Sequence, residues 1–168
     1  MNTLTPSSST ATNQLLKSEF RKVREIIYSY CGINLQQGKE ALVQARLMKR
    51  VRFLGLHSIS EYLRYLDEDT TGVEFLNMVD VITTNKTSFF RENKHFEFIR
   101  SKVLPGLEGR DVKWWSAGCS SGEEPITCSI ILHEARKMHT WASVKILATD
   151  ISRDVLTLAK NGIYPSQR

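Results

Sequence analysis

The sequence lacks any apolar run that approaches the length of a transmembrane helix. Its longest uncharged apolar stretches span a few residues, as at Ile130 to Leu132, whereas a helix that crosses a bilayer needs about 20. The first residues, MNTLTPSSSTATNQ, have neither a basic start nor an apolar segment, so they do not resemble a secretory signal. From these absences we expect a cytoplasmic chain that does not insert into a membrane.

Cysteine is scarce, and its spacing excludes two common uses. Cys31, Cys119 and Cys128 are odd in number and form no CxxC pair, so neither a disulfide framework nor a paired zinc site is indicated. The four histidines also lack ligand-like spacing. We therefore expect reduced thiols and no metal site.

What is present is the composition of a folded soluble protein. Hydrophobic residues make up 41% and charged residues 24% of 168 residues, enough for one ordinary domain or two small ones. The net charge of +5 is modest, but its distribution is uneven. Between Lys39 and Arg52 five basic residues accompany one acid, Glu40, which predicts a docking surface for an anionic partner. The cations assigned to that surface are Lys39, Arg46, Lys49 and Arg50.

The first half of the chain has helical periodicity. Residues 1–14 are rich in Ser, Thr and Asn and predict a disordered tail, whereas residues 15–82 predict an all-α bundle of four helices. Gly32 predicts the end of the first helix, and Ser58 with Glu61 forms a capping box for the third. The apolar stripes are Leu16, Phe20, Val23, Ile27, Tyr30; Val43, Leu47, Val51, Leu54; Ile59, Tyr62, Leu63, Leu66; and Val73, Leu76, Val79, Ile82.

The second half predicts a linker and an α/β domain. Residues 83–110 form a polar loop and then a helix from Lys94 to about Leu104, with Phe96, Ile99 and Val103 facing inward. Residues 111–168 predict strand 112–117, helix 123–138, strand 144–148 and a helix capped by Ser152. This order implies parallel strands with a right-handed crossover, so the fold class is α + α/β.

The loop from Gly118 to Glu124 is a candidate ligand site. A strand followed by a Gly/Ser loop and a helix places free N–H groups at the carboxyl edge of a sheet, although a tight turn without ligand remains an alternative. GCSSG is neither GxGxxG nor a P-loop, and Glu123 and Glu124 favour a positively charged ligand over a triphosphate. Asp150 follows the second strand, where it could accept hydrogen bonds from a ribose or simply cap the next helix.

The polar loop contributes a third candidate group. Asn85 and Thr87 offer short hydrogen-bonding side chains, and the Arg91 guanidinium fits a carboxylate with two parallel hydrogen bonds. The alternative is that Phe89 and Phe90 are core residues and Arg91 is a solvated charge.

Four segments resemble one family, the CheR-type chemotaxis receptor methyltransferases. The segments are TTNKTSFFRENKHF, WWSAGCSSGEEP, LATDISRDVLTLAKNGIY and ARLMKRVRFLGLHSISEYLRYL. Their order and spacing also agree with the family, and the resemblance extends from about residue 15 to the last residue. It implies a helical domain followed by the first βαβα portion of a Rossmann-like methyltransferase domain.

The resemblance also implies an activity: methyl transfer from S-adenosylmethionine to receptor glutamates, leaving S-adenosylhomocysteine. The cofactor-binding residues it implies are Asn85, Thr87, Arg91, Gly118, Glu124 and Asp150, with Arg91 as the catalytic residue and Asp150 on the ribose. The basic second helix would face the acidic methylation helices of a chemoreceptor.

Two departures from the family qualify this interpretation. Ile126 stands where the family often has an aromatic residue, and the family continues well beyond this length. Two strands leave an open sheet edge and an unclosed pocket. We therefore expect an incomplete enzyme that binds cofactor weakly or not at all and shows no turnover, and that either self-associates through that edge or depends on a second polypeptide for the rest of the sheet.

Two other functions stay open as alternatives. One is a non-catalytic module that docks on a helical partner, and cofactor binding would distinguish it from an enzyme. The other, nucleic-acid binding, is the weakest because the basic cluster is short and Trp114 and Trp115 are predicted to be buried in a strand. We therefore expect no nucleic-acid partner.

Overall fold

The computed structural model describes residues 14–166. The chain divides into two compact units, Met1–Thr83 and Thr84–Arg168. Nearly all of the predicted tail, residues 1–14, lies outside the described residues. Within the described range, no helix combines the length and the apolar character that a membrane span requires.

Over the described residues 14–83 the first unit has four helices, as predicted. They are α1 (Lys17–Cys31), α2 (Glu40–Phe53), α3 (Ile59–Glu68) and α4 (Val73–Ile82). Gly32 ends α1 with a φ of 71° and donates its N–H to the Tyr28 carbonyl at 2.9 Å, and Ser58 Oγ accepts the Glu61 N–H at the start of α3. Most residues of the apolar stripes meet in one core, whereas Leu16 and Tyr30, predicted to belong to the first stripe, are exposed. The core includes Val23, Ile27, Val43, Leu47, Val51, Tyr62, Met78 and Val79.

The buried face of α4 differs from the predicted stripe. Val73 is 54% exposed, whereas the carboxylate residue Glu74 is buried. Glu74 accepts hydrogen bonds from Arg50 Nε and Nη2 at 2.8 and 2.7 Å, and from the Tyr62 hydroxyl at 2.9 Å. Burial opposes ionisation of Glu74, but these hydrogen bonds and one from Asn77 outweigh it and hold its pKa below the usual value. The ion pair with Arg50 thus allows the Glu74 carboxylate to be buried.

Two of the four cations predicted for the basic surface of α2 make contacts within the helical unit. Arg50 turns towards Glu74, and Arg46 donates a hydrogen bond to the Ile82 carbonyl. Both arginines are half-buried, while Lys39 and Lys49 are exposed. Arg46 and Arg50 therefore contribute contacts within the helical unit, and their part in partner docking stays a prediction.

The second unit has the predicted βαβα order. After α5 (Asn93–Phe98) come β1 (Asp111–Ser116), α6 (Glu123–Ala135), β2 (Ser143–Ala148) and α7 (Arg153–Asn161). The strands pair in parallel, with Asp111 opposite Ser143 and Ser116 opposite Ala148. This confirms the predicted fold class, a helical bundle followed by an incomplete Rossmann-like domain.

The helix predicted from Lys94 to Leu104 changes its winding midway. After α5 the backbone forms a π-helical segment, Ile99–Val103, and then a 3₁₀ turn, Leu104–Leu107. The extra residue in a π turn rotates the inward face, so Leu104 is fully buried and Val103, predicted to face inward, is 39% exposed. Pro105 has no N–H to continue an α-helix.

One face of the two-stranded sheet packs on the core, and the other is open. Val112, Cys128, Ile131 and Leu132 are buried between β1 and α6, with Trp114 packed against them. Trp115 points to the opposite face and is 65% exposed. The prediction that both tryptophans are buried is therefore wrong for Trp115, because strand side chains alternate between faces.

Candidate functional site

The loops after β1 and β2 meet at the carboxyl edge of the sheet. Thr149 donates its N–H to the Ser116 carbonyl at 3.0 Å, and its own carbonyl accepts the Cys119 N–H at 3.0 Å. Parallel strands end at the same edge, so the segment Gly118–Glu124 lies beside the segment that carries Asp150. We call Gly118–Gly122 the cofactor loop.

Ser120 is the point at which three segments of this unit join. Its φ of 48° lies in the left-handed region, which costs a non-glycine residue about 1–2 kcal/mol. The Ser120 N–H donates to Asp150 Oδ2 at 2.8 Å, and its hydroxyl donates to the Asn85 carbonyl at 2.9 Å. The structure therefore brings Asn85 and Asp150, two predicted site residues, against the same residue of the cofactor loop.

Asp150 organises the backbone on both sides of the site. Besides the Ser120 N–H, its carboxylate accepts the Ser152 N–H at Oδ1, at 2.9 Å. This second bond reaches the N-cap residue of α7 and not the N–H groups of its first turn, and Ser152 makes no side-chain cap of its own. The ribose and capping roles both stay predictions. A carboxylate has about four acceptor positions, so the half-buried Asp150 retains acceptor capacity for a ligand.

The two adjacent glutamates at the start of α6 have different environments. Glu123 is fully buried and accepts a hydrogen bond from the Ser121 hydroxyl at 2.7 Å. Glu124 is exposed and accepts one from the Ser116 hydroxyl at 2.6 Å. Of these two carboxylates, only that of Glu124 lies at the surface, where a ligand can reach it. The Glu123 carboxylate lies inside the fold.

The glycines at the two ends of the cofactor loop serve different purposes. A Cβ added at Gly118 would meet nothing within 4 Å, and the Gly118 N–H has no hydrogen-bond partner among residues 14–166. At Gly122, where φ is 98°, a Cβ would lie 2.7 Å from the Tyr164 hydroxyl oxygen and 3.1 Å from Ala159 Cβ. Gly118 thus borders open space, whereas Gly122 permits a close contact inside the fold.

The polar loop before α5 is held by its backbone. Phe90 has a φ of 54° and donates its N–H to Thr127 Oγ1 of α6 at 3.2 Å. The Arg91 side chain is exposed and donates to the Lys86 carbonyl at 2.8 Å. The Thr87 hydroxyl has no hydrogen-bond partner in the described part of the chain. Thr87 and Arg91 therefore keep donors available for a ligand, and their roles stay predictions.

Tyr164 is a residue of this site that is absent from the predicted set. Its hydroxyl donates to the Ser121 carbonyl at 2.7 Å, and its ring lies edge-on to Phe89 with centroids 5.0 Å apart. Two local signals were its position just after Gly162, the residue that ends α7, and its place at the end of the segment LATDISRDVLTLAKNGIY.

The thiols near the site are poor nucleophiles. Burial raises the pKa of the Cys119 thiol, with a further contribution from the nearby Asp150 charge. Burial also raises the pKa of Cys128, to about 12. Because the thiolate is the reactive form, neither cysteine is suited to covalent catalysis at neutral pH.

The residues at this edge fit a cationic ligand with neighbouring hydroxyl groups. Open space at Gly118 permits close approach, and Glu124 and Asp150 supply negative charge and acceptors. S-adenosylmethionine has both features, a positively charged sulfur and a ribose.

Comparison with known proteins gives two family matches that together cover most of the chain. Residues 18–83 match the CheR methyltransferase all-alpha domain, and residues 85–168 match the CheR methyltransferase SAM binding domain. The second description confirms S-adenosylmethionine as the predicted cofactor.

Curated relatives carry the same description. The chain is 41% identical over 163 residues to a chemotaxis protein methyltransferase of Borreliella burgdorferi, covering 92% of this chain and 57% of that protein. It is 39% identical over 153 residues to chemotaxis protein methyltransferase 2 of Pseudomonas aeruginosa, covering 90% and 54%. It is 34% identical over 152 residues to the chemotaxis protein methyltransferase of Escherichia coli, covering 89% of this chain and 51% of that protein. The chain thus spans about half the length of these relatives.

Proposed function

The chain belongs to the CheR methyltransferase family, and from this we propose that it supplies the partner-docking and cofactor-binding part of a cytoplasmic enzyme that methylates glutamate side chains of chemotaxis receptors. The observation that carries the proposal is the arrangement around Ser120. Asn85, Asp150 and the cofactor loop converge there, beside the open space at Gly118.

Each of these groups has a task in binding the cofactor. The free acceptor positions of Asp150 receive the ribose hydroxyls, and the exposed Glu124 attracts the positive charge of the ligand. Gly118 allows the ligand to approach the backbone. When bound, the cofactor supplies a methyl group attached to a positively charged sulfur.

The reaction needs little acid–base chemistry from the protein. The side chain of a substrate glutamate has an ordinary pKa of about 4.3, so it is already ionised at neutral pH. The protein must instead orient that carboxylate and keep water away. Arg91, exposed and with donors to spare, is the proposed carboxylate-binding residue, with Thr87 beside it on the same loop.

The helical unit is proposed to dock on acidic receptor helices. Lys39 and Lys49 of the predicted surface are exposed, and so is Arg52 on the last turn of α2. Lys49 and Arg52 are three residues apart on one helix, so their side chains are neighbours. We therefore place the electrostatic contact on these exposed cations.

Cofactor binding can be tested by NMR on the 168-residue chain, because chemical-shift titration detects weak complexes. S-adenosylhomocysteine should shift the amide signals of the cofactor loop and of the segments around Asn85 and Asp150. Gly118→Val should abolish these shifts without unfolding the protein, since the new side chain enters open space. Gly106→Val is the matched control, because Gly106 also has open surroundings but lies away from the cofactor loop.

The outcomes separate the proposal from its alternative. Shifts that are absent at millimolar ligand, or equal in wild type and Gly118→Val, would contradict the assigned site. Association with a receptor fragment in the absence of such shifts would favour the non-catalytic docking module.

Methyl transfer itself requires a second assay, with radiolabelled S-adenosylmethionine and a receptor cytoplasmic fragment. Glutamate methyl esters release methanol in mild alkali, whereas methylated amines do not, so alkali-labile label identifies the product. We expect such label from a chain extended to the length of the relatives, and little or none from residues 1–168. Alkali-stable label would contradict glutamate as the substrate.

A further inference from the structure

We infer that Tyr164 is a positioning residue that sets cofactor affinity by holding the cofactor loop and the polar loop before α5 in one arrangement. The inference rests on the proposed function of this site. It assigns a role to a residue whose importance lies in its contacts and not in any chemistry of its own.

Tyr164 contacts both loops at once. Its hydroxyl donates to the carbonyl of Ser121 at 2.7 Å, in the middle of the cofactor loop. Its ring packs edge-on against Phe89, with centroids 5.0 Å apart and planes at 79°. The two contacts use different parts of one side chain, so one residue couples two segments that are far apart in sequence.

The contact with the cofactor loop leaves almost no spare room. A Cβ at Gly122 would lie 2.7 Å from the Tyr164 hydroxyl oxygen and 3.3 Å from the Cα of Ala159. Gly122 immediately precedes α6, so the hydroxyl lies against the backbone at the start of that helix. Displacing the Tyr164 side chain would therefore remove a contact from the backbone of the cofactor loop. A larger residue at Gly122 would collide with Tyr164 and could not substitute for that contact.

The Tyr164 hydroxyl binds Ser121, the neighbour of the residue that is hydrogen-bonded to Asp150. Ser121 follows Ser120, whose left-handed backbone is accompanied by hydrogen bonds to Asp150 and Asn85 that help to offset its strain. Fixing the Ser121 carbonyl limits rotation of the peptide groups on either side. Without the Tyr164 hydroxyl, the strained backbone at Ser120 has one fewer restraint, and the Asp150 carboxylate loses a fixed partner.

Amide hydrogen exchange on the 168-residue chain tests the contact itself. In Tyr164→Phe, the exchange rates of the Ser120 and Gly122 amides should rise about fivefold, the factor that corresponds to one ordinary hydrogen bond. The exchange rates of core amides in α6 should rise less. Tyr164→Leu also removes the ring, so it should additionally speed exchange of the Phe90 amide. Tyr28→Phe, at an exposed tyrosine in α1, is the control and should change neither.

The functional consequence is measured by titrating the same variants with S-adenosylhomocysteine. The dissociation constant should rise several-fold in Tyr164→Phe and more in Tyr164→Leu, and remain unchanged in Tyr28→Phe. Unchanged loop exchange in Tyr164→Phe would overturn the inference, as would faster exchange with unchanged affinity. If the wild-type chain gives no shifts at all, the cofactor site assigned to this chain fails, and the exchange data alone decide whether Tyr164 holds the loops.

Discussion

Replacing Asp150 with alanine should lower the stability of the α/β unit as well as affinity for the cofactor. The carboxylate accepts the Ser120 N–H at 2.8 Å and the Ser152 N–H at 2.9 Å. Both donor residues are buried, with Ser152 at 0% and Ser120 at 7% exposure. Among residues 14–166 no other group accepts either N–H, so the substitution leaves both donors without a partner there.

The expected cost follows from those two donors. A buried donor left without its partner costs about 1–3 kcal/mol, so two give about 2–6 kcal/mol. Asp150 is half-exposed, so water can enter and replace part of the loss, and we expect about 2–4 kcal/mol. Asp150→Asn should cost less, because one side-chain oxygen remains, although its amide group then faces the second N–H donor.

Tryptophan fluorescence is the appropriate assay, because Trp114, Trp115 and Trp141 all belong to the α/β unit. Urea titration should show an earlier fluorescence transition in Asp150→Ala. The control is Asp154→Ala, which removes an exposed acid from the first turn of α7 and should cost under about 1 kcal/mol. Equal free energies of unfolding for wild type and Asp150→Ala would refute the structural role derived for this carboxylate.

Three further predictions concern the helical unit. Glu74→Gln should lower the free energy of unfolding of this unit by about 3 kcal/mol, because the half-buried Arg50 is left without a countercharge; urea titration by far-UV circular dichroism measures this, and an unchanged transition would contradict it. Because the folded pKa of Glu74 is depressed, its stabilisation should be complete above the ordinary carboxyl pKa of about 4.3 and disappear as pH falls through the lower folded value, a dependence that Glu74→Gln should abolish in titrations between pH 3 and 7. Charge reversal of Lys49 and Arg52 together should weaken association with an acidic receptor fragment at low salt, with the effect shrinking at high salt and folding unchanged; calorimetry that finds no salt-dependent loss would remove this docking surface.

Local patterns in the sequence determined most of the secondary structure and which segments meet at the candidate site. Apolar spacing of three and four residues predicted α1 to α4 because a helix buries the same side at each turn. Alternating strands and helices predicted the parallel pair, and the rule that such strands end at one edge brought Gly118, Glu124 and Asp150 to the same place. These features depend on neighbours in the chain, which a sequence displays directly.

Tertiary structure alone decided how the polar side chains are paired. Arg50 and Glu74 are 24 residues apart, and Ser121 and Tyr164 are 43 apart, so no local pattern connects them. Both Arg50 and Glu74 look like surface charges in sequence, and only their mutual approach makes burial favourable. Periodicity likewise could not foresee the π segment Ile99–Val103, because the interior of the second unit, and not the spacing of residues, selects Leu104 over Val103 as the buried side chain.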